Sequence, residues 1–185
     1  MSNPWLFLKR FVSCPLSVGS VMPSSRFLVR SMVTGIDWSR VETVAELGAG
    51  TGVITGAIDQ SRHPDSRFFS FECDDNMRHA LKGHYPTVSF HEDAFALRFI
   101  LQAQHLKGFD CVISGLPLFN FPEQARRSLL AEIHDLLNPG GVFVAFQYTR
   151  VLKPFLVSMY DEMETCFVWA NLPPAFVYVC KKPAW

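Results

Sequence analysis

Three glycines alternate where an apolar run stops: Thr43-Val-Ala-Glu-Leu-Gly-Ala-Gly-Thr-Gly-Val-Ile-Thr55. The pattern predicts a buried strand, a tight turn and the first turn of a helix starting near Thr51. Gly48, Gly50 and Gly52 let the backbone take positive φ, and a ligand can then lie against it without meeting a Cβ atom. The unpaired amides of the following helix face the same space. Glu46 interrupts the apolar strand two residues before Gly48, and a carboxylate there is costly unless it has a cationic or hydrogen-bonding partner. The spacing G-x-G-x-G differs from the G-x-G-x-x-G of dinucleotide folds, and three glycines alone also suit a plain strand-to-helix connection.

Two further strand ends carry acids. Arg67-Phe-Phe-Ser-Phe-Glu72 is an apolar run closing on Glu72, placed to accept both hydrogen bonds of a ribose diol. Val88-Ser-Phe-His-Glu-Asp93-Ala94 ends in an acid followed by a small residue, and Asp93 suits either a ligand contact or the cap of a helix beginning at Ala94. The E-x-G-x-G-x-G segment with these two acids resembles motif I and the following motifs of the class I methyltransferases. The resemblance implies S-adenosyl-L-methionine as cofactor, with S-adenosylhomocysteine as product. It places Gly48, Gly50 and Gly52 at the methionine portion, Glu72 on the ribose and Asp93 at the adenine, with Glu46 and Ala94 also in the cofactor site.

Along the chain, strand-like runs alternate with amphipathic helical stretches, the pattern of a doubly wound α/β sheet. Strands are expected near 43–48, 67–72, 87–92, 109–114, 141–148, 164–170 and 175–181, and helices near 51–60, 75–83, 94–105, 122–137 and 151–161. Asn138-Pro-Gly-Gly141 reads as the turn between the fourth of these helices and the fifth strand. Asn171-Leu-Pro-Pro174 is too short for a crossover, so the last two strands form an antiparallel hairpin at the sheet edge. A Rossmann-like, seven-stranded, mostly parallel sheet is therefore expected over residues 41–185, with residues 1–40 as a helical arm on one compact domain.

At 185 residues, 49% of them apolar, the chain supports a single substantial core and is not disordered. No apolar run approaches the roughly 18 residues of a membrane span. Cys14, Cys73, Cys111, Cys166 and Cys180 show no C-x-x-C spacing and read as reduced core thiols of a cytoplasmic protein, and the six histidines form no ligand set, so no metal is expected. Net charge is zero but uneven: Lys9, Arg10, Arg26, Arg30 and Arg40 face only Asp37 in residues 1–40, a surplus of +4 balanced by −4 in the remainder. A nucleic-acid enzyme usually presents a larger basic surface. A monomer without nucleic acid is expected.

The acceptor side is read from Phe109-Asp-Cys-Val-Ile-Ser-Gly-Leu-Pro-Leu-Phe-Asn-Phe-Pro122. In open α/β sheets ligands bind outside the carboxyl ends of the strands, so the turn Ser114-Gly-Leu-Pro117 faces the acceptor. Amino-directed methyltransferases carry N-P-P-Y or N-L-P-Y there, and Ser114 replaces the usual Asn. Gly115–Pro122, Phe146-Gln-Tyr-Thr149 and Pro15–Val29 resemble the bacterial phospholipid N-methyltransferases. That likeness implies an amino-phospholipid substrate of the phosphatidylethanolamine type. The Ser114 and Leu116 carbonyls and the Tyr148 hydroxyl are then expected to orient its amine. Tyr148 suits edge packing as well, and Ser24 and Ser25 either line the cofactor pocket or cap a helix, Ser24 being the expected cap. Trp5, Leu6, Phe7, Leu8, Phe11 and Val12 surround Lys9 and Arg10. Residues 5–13 therefore either cover the core or lie on an anionic membrane, which would make the protein peripheral on the inner face of a bacterial membrane. The competing functions are an rRNA adenine dimethyltransferase, a small-molecule methyltransferase and a non-catalytic cofactor-binding protein.

Overall fold

The computed structural model describes residues 25–184. Residues 5–13 and Ser24 lie outside them. Seven strands, β1 (Thr43–Leu47), β2 (Arg67–Phe71), β3 (Ser89–His91), β4 (Phe109–Ser114), β5 (Leu137–Gln147), β6 (Glu162–Val168) and β7 (Ala175–Lys181), form one sheet in the order β3-β2-β1-β4-β5-β7-β6. All pairings from β3 to β5 are parallel, and β7 runs antiparallel between β5 and β6. The expected Rossmann-like sheet with one reversed strand is what the chain forms. β1 is buried at all five positions, as a central strand covered on both faces must be. The strand order reverses between β1 and β4, so a crevice opens at their carboxyl ends.

Among the described residues six α-helices cover the sheet: α1 (Arg26–Val33), α2 (Val53–Ser61), α3 (Asp75–His84), α4 (Leu97–Ala103), α5 (Glu123–Leu136) and α6 (Lys153–Val157). On one face, Leu28, Val29 and Met32 of α1 and Ile54 and Ile58 of α2 pack with Val44, Phe68, Ile113, Val144 and Val177. The described part of the arm is thus built into the core. On the other face, Leu97 and Leu101 of α4 and Leu129, Leu130 and Ile133 of α5 pack with Leu47, Phe69, Val112, Phe143 and Tyr178.

Several expected boundaries shift for local reasons. α2 begins at Val53, because Gly52 takes φ 82° as its left-handed cap. The helix expected over 94–105 opens as a 3-10 turn, Ala94–Ala96, drawn tight by the Asp93 carboxylate on the Phe95 amide. The stretch 151–161 keeps only α6: Pro154 sits in its first turn, and the Ser158 hydroxyl donates back to the Phe155 carbonyl. Asn138–Gly141 is an excursion inside β5, since Phe109 pairs with Leu137 while Cys111 already pairs with Val142. Lys182 Nζ closes the end of α5 by donating to the carbonyls of His134, Asp135 and Leu137. The cysteines are not all core residues: Cys111 and Cys180 are buried, Cys73 is half-buried and Cys166 is exposed on edge strand β6.

Candidate active site

The glycine turn is stitched to the end of β2. Gly48 and Ala49 amides donate to the Phe71 carbonyl at 2.8 and 3.2 Å, and the Gly50 amide donates to Glu72 Oε2 at 2.7 Å. Gly48, Gly50 and Gly52 have φ of 81°, 53° and 82°. A Cβ on Gly48 would come within 2.8 Å of the Leu116 side chain, and one on Gly52 would collide with Leu81. Gly50 has nothing within 4 Å of that position, so only its backbone conformation and the clearance for a ligand require glycine. Sequence reasoning missed the role of Gly115: its Cβ would lie 2.8 Å from the Gly48 carbonyl, and its amide donates to Leu47 at 2.8 Å. The turns after β1 and β4 meet backbone to backbone.

Glu46 lies beneath this turn, fully buried. Its Oε2 accepts from Thr55 and Ser70 hydroxyls, each at 2.7 Å, while Oε1 is buried without a partner among the described residues. Burial pushes its pKa from 4.5 up to about 7, and the two hydroxyls pull the other way. Glu72 is also buried; its Oε1 accepts from the Asp74 amide at 2.9 Å, so both oxygens already brace the strand ends. Asp93 is exposed, and its Oδ1 caps the Ala94–Ala96 turn. The donor set fits a ligand with an ammonium group and a ribose diol. Glu46 offers an unpaired buried acceptor, Gly50 offers clearance, and Glu72 and Asp93 stand at adjacent strand ends.

Ser25 caps α1: its hydroxyl accepts from the Leu28 amide at 3.2 Å, and its own amide donates to Asn171 Oδ1 at 3.0 Å. The cap is therefore Ser25 and not Ser24 as expected.

On the acceptor side two of the three expected residues, Ser114 and Leu116, are bonded into the turn after β4. Ser114 is fully buried, and its hydroxyl accepts from the Leu116 amide at 3.3 Å, shaping the turn. The Leu116 carbonyl, expected to face the amine, accepts instead from Gln147 Nε2 at 3.0 Å and the Leu118 amide at 2.8 Å, which occupies both lone pairs. Tyr148 is half-buried just beyond β5, its ring edge-on to Phe146 at 5.7 Å. Gln147, unassigned from sequence, is buried and also accepts from the Phe119 amide at 3.4 Å. Its signal was a polar residue at the end of an apolar strand. His91 packs on Phe71 and Phe69 at 5.3 and 6.1 Å, with its Nε2 buried and unpaired among the described residues. Burial and the nearby Lys82 charge lower its pKa. Among the described residues no group of three metal-ligating side chains occurs, and no helix is long and apolar enough to cross a membrane.

Sheet order, glycine turn and acidic strand ends together define a Rossmann-like methyltransferase. Residues 44–141 match the family model described as a methyltransferase domain. The chain is 34% identical to the ornithine lipid N-methyltransferase of Singulisphaera acidiphila, over 98% of this chain and 97% of that protein. It superimposes with a TM-score of 0.69 on precorrin-6y C5,15-methyltransferase from Geobacter metallireducens GS-15, at 13% identity over 90% of this chain and 93% of that one. The N-methyltransferase NodS from Bradyrhizobium japonicum WM9, in complex with S-adenosylhomocysteine, gives 0.64 at 14% identity, over 98% and 100% of the two chains. At these identities the two solved structures share the fold alone. The protein belongs to the methyltransferase domain family and is a class I S-adenosylmethionine-dependent methyltransferase.

Proposed function

We propose that the protein methylates the amine of a lipid headgroup, of the phosphatidylethanolamine or ornithine lipid kind. The observation that carries this reading is the near full-length relationship to an ornithine lipid N-methyltransferase. Glu46, Gly48, Gly50, Gly52, Glu72, Asp93 and Ala94, with Ser24 and Ser25 at the arm, hold the cofactor. When bound, S-adenosylmethionine supplies a methyl group on a sulfonium centre, open to in-line displacement by nitrogen. An alkylamine has a pKa near ~10 and must lose its proton before it attacks. The protein's contribution is alignment and exclusion of water at the carboxyl ends of β4 and β5. Tyr148 supplies the hydroxyl that orients the neutral amine. Ser114, Leu116 and Gln147 fix the turn against which the amine is held.

The test is incubation with methyl-labelled cofactor and separate phosphatidylethanolamine, ornithine lipid and RNA fractions. Label is expected in lipid, and label confined to RNA overturns the reading. Tyr148→Phe should lower transfer about fivefold, the loss of one hydrogen bond of about 1 kcal/mol, with cofactor affinity unchanged. Equal loss of both would make Tyr148 structural.

A further inference from the structure

Of the ten large apolar side chains left exposed among the described residues, six gather at one end of the molecule, and the other four, Val53, Met77, Phe99 and Val157, lie on α2, α3, α4 and α6. Phe119 follows β4, Val151 follows β5, Phe167 lies near the end of β6, and Trp169 and Leu172 form the turn between β6 and β7. Phe27 lies in the first turn of α1, which the Ser25 amide ties to Asn171 of that same turn. β6 is parallel to β1–β5, so all of these stand at the carboxyl end of the sheet, where the acceptor enters. None of the large exposed apolar residues lies in the loops that lead into the strands at the opposite end, 62–66, 85–88, 104–108 and 158–161. Trp169 is 78% exposed and Leu172 71%, far beyond what scattered surface residues of a core-forming chain require.

The turn that carries them is held rigid. Asn171 is buried between them, accepting from the Ser25 amide and donating to the Pro173 carbonyl at 2.7 Å. The charges around it have one sign. Segments 25–30, 148–153 and 169–174 contain Arg26, Arg30, Arg150 and Lys153 and no acidic residue. Arg26 lies over the Phe27 ring at 5.0 Å and Arg150 over Phe176 at 4.7 Å, and neither makes an ion pair among the described residues. Aromatic and aliphatic side chains projecting between cations that make no ion pair among the described residues match a layer of lipid phosphates above acyl chains.

We infer that this rim docks on an anionic phospholipid bilayer, with Trp169 and Leu172 entering the headgroup layer and Arg26, Arg30, Arg150 and Lys153 meeting lipid phosphates. The inference rests on the lipid-amine reading above, because a headgroup amine must reach the carboxyl ends of β4 and β5 without leaving its membrane. Docking by this rim turns that opening toward the bilayer.

The test is co-sedimentation of the full chain with phosphatidylglycerol–phosphatidylcholine vesicles, beside melting curves, sedimentation velocity and methyl transfer to detergent-dispersed amino lipid. Trp169→Ala with Leu172→Ala should weaken vesicle binding at least about tenfold, since partial burial of two large apolar side chains is lost. Arg26→Ala with Arg150→Ala should weaken it about tenfold or more on anionic vesicles and hardly at all on neutral ones. Both variants should keep the wild-type melting temperature and their activity in detergent, while losing activity on vesicles. Unchanged vesicle binding overturns the inference. So does a double variant that leaves binding intact but melts several degrees lower, which means residues 1–24 cover the patch, or one that dissociates a dimer, which means a second copy does. Failure to methylate any amino lipid in detergent instead refutes the functional reading, and the two failures are read in separate assays.

Discussion

Glu46 concentrates the electrostatic cost of the site in one side chain. Its folded pKa of about 7 stands above the ordinary 4.5, with burial as the main cause. A raised carboxyl pKa means the contribution to stability is present in full below the unfolded value and is lost as pH rises through the folded one. The cofactor-free protein should therefore lose up to roughly 3 kcal/mol between about pH 4.5 and 7 from this residue alone. Glu46→Gln keeps an oxygen for Thr55 and Ser70 and removes the charge. Urea unfolding at about pH 5 and pH 8 should show the variant gaining on the wild type only at the higher value. An identical pH dependence in both proteins would mean that the carboxylate is already compensated. Sequence showed that this acid needed partners, because an acid in an apolar strand always does. It did not show which ones, since Ser70 comes from β2, set beside Glu46 by the parallel register, and Thr55 comes from α2, beyond the glycine turn.

At the scale of elements, the proposed acceptor site depends on how the turn after β4 is pinned to β5. Gln147 reaches from the end of β5 to the Leu116 carbonyl and the Phe119 amide, and so fixes residues 116–119 against the sheet. Gln147→Leu leaves the Phe119 amide without this acceptor, a loss of about 1–3 kcal/mol if the group stays buried. We expect kcat on the amino acceptor to fall about tenfold, with cofactor affinity unchanged by calorimetry. A lowered kcat beside an unchanged cofactor affinity would mark Gln147 as a positioning residue. A loss of cofactor affinity equal to the loss of kcat would contradict this role. Elements were legible where local pattern decides them: β4 and β7 fall where their apolar runs predicted. The hairpin was legible too, but a short connection does not say which of its strands lies inside. Burial decides it, as β7 is mostly covered while β6 exposes Glu162 and Glu164 at the open edge, charged residues that discourage further pairing. The Leu116 carbonyl was misread because its partner, Gln147, is remote in sequence and its approach depends on the β4–β5 register.

Across the whole molecule, the proposed cofactor site belongs to no single element. The residues assigned to it lie on the β1 turn and at the ends of β2 and β3, and the Gly115 backbone supports the first of these from β4. A ligand that bridges these strand ends binds only the assembled sheet, so its binding free energy is added to the stability of the entire fold. S-adenosylmethionine at about 100 times its dissociation constant should add about 2.7 kcal/mol. For a chain of this length that corresponds to a rise in melting temperature of roughly 5–10 °C. Glu72→Ala removes the acceptor proposed for the ribose and also frees the Gly50 and Asp74 amides, weakening affinity by roughly 1–3 kcal/mol. At the same ligand concentration its shift should drop to between about two thirds and about a tenth of the wild-type value. Differential scanning fluorimetry of both proteins, each with and without ligand, separates this loss from any lower starting temperature of the variant. An equal shift in the two would place the ribose elsewhere and leave Glu72 as a brace for the glycine turn.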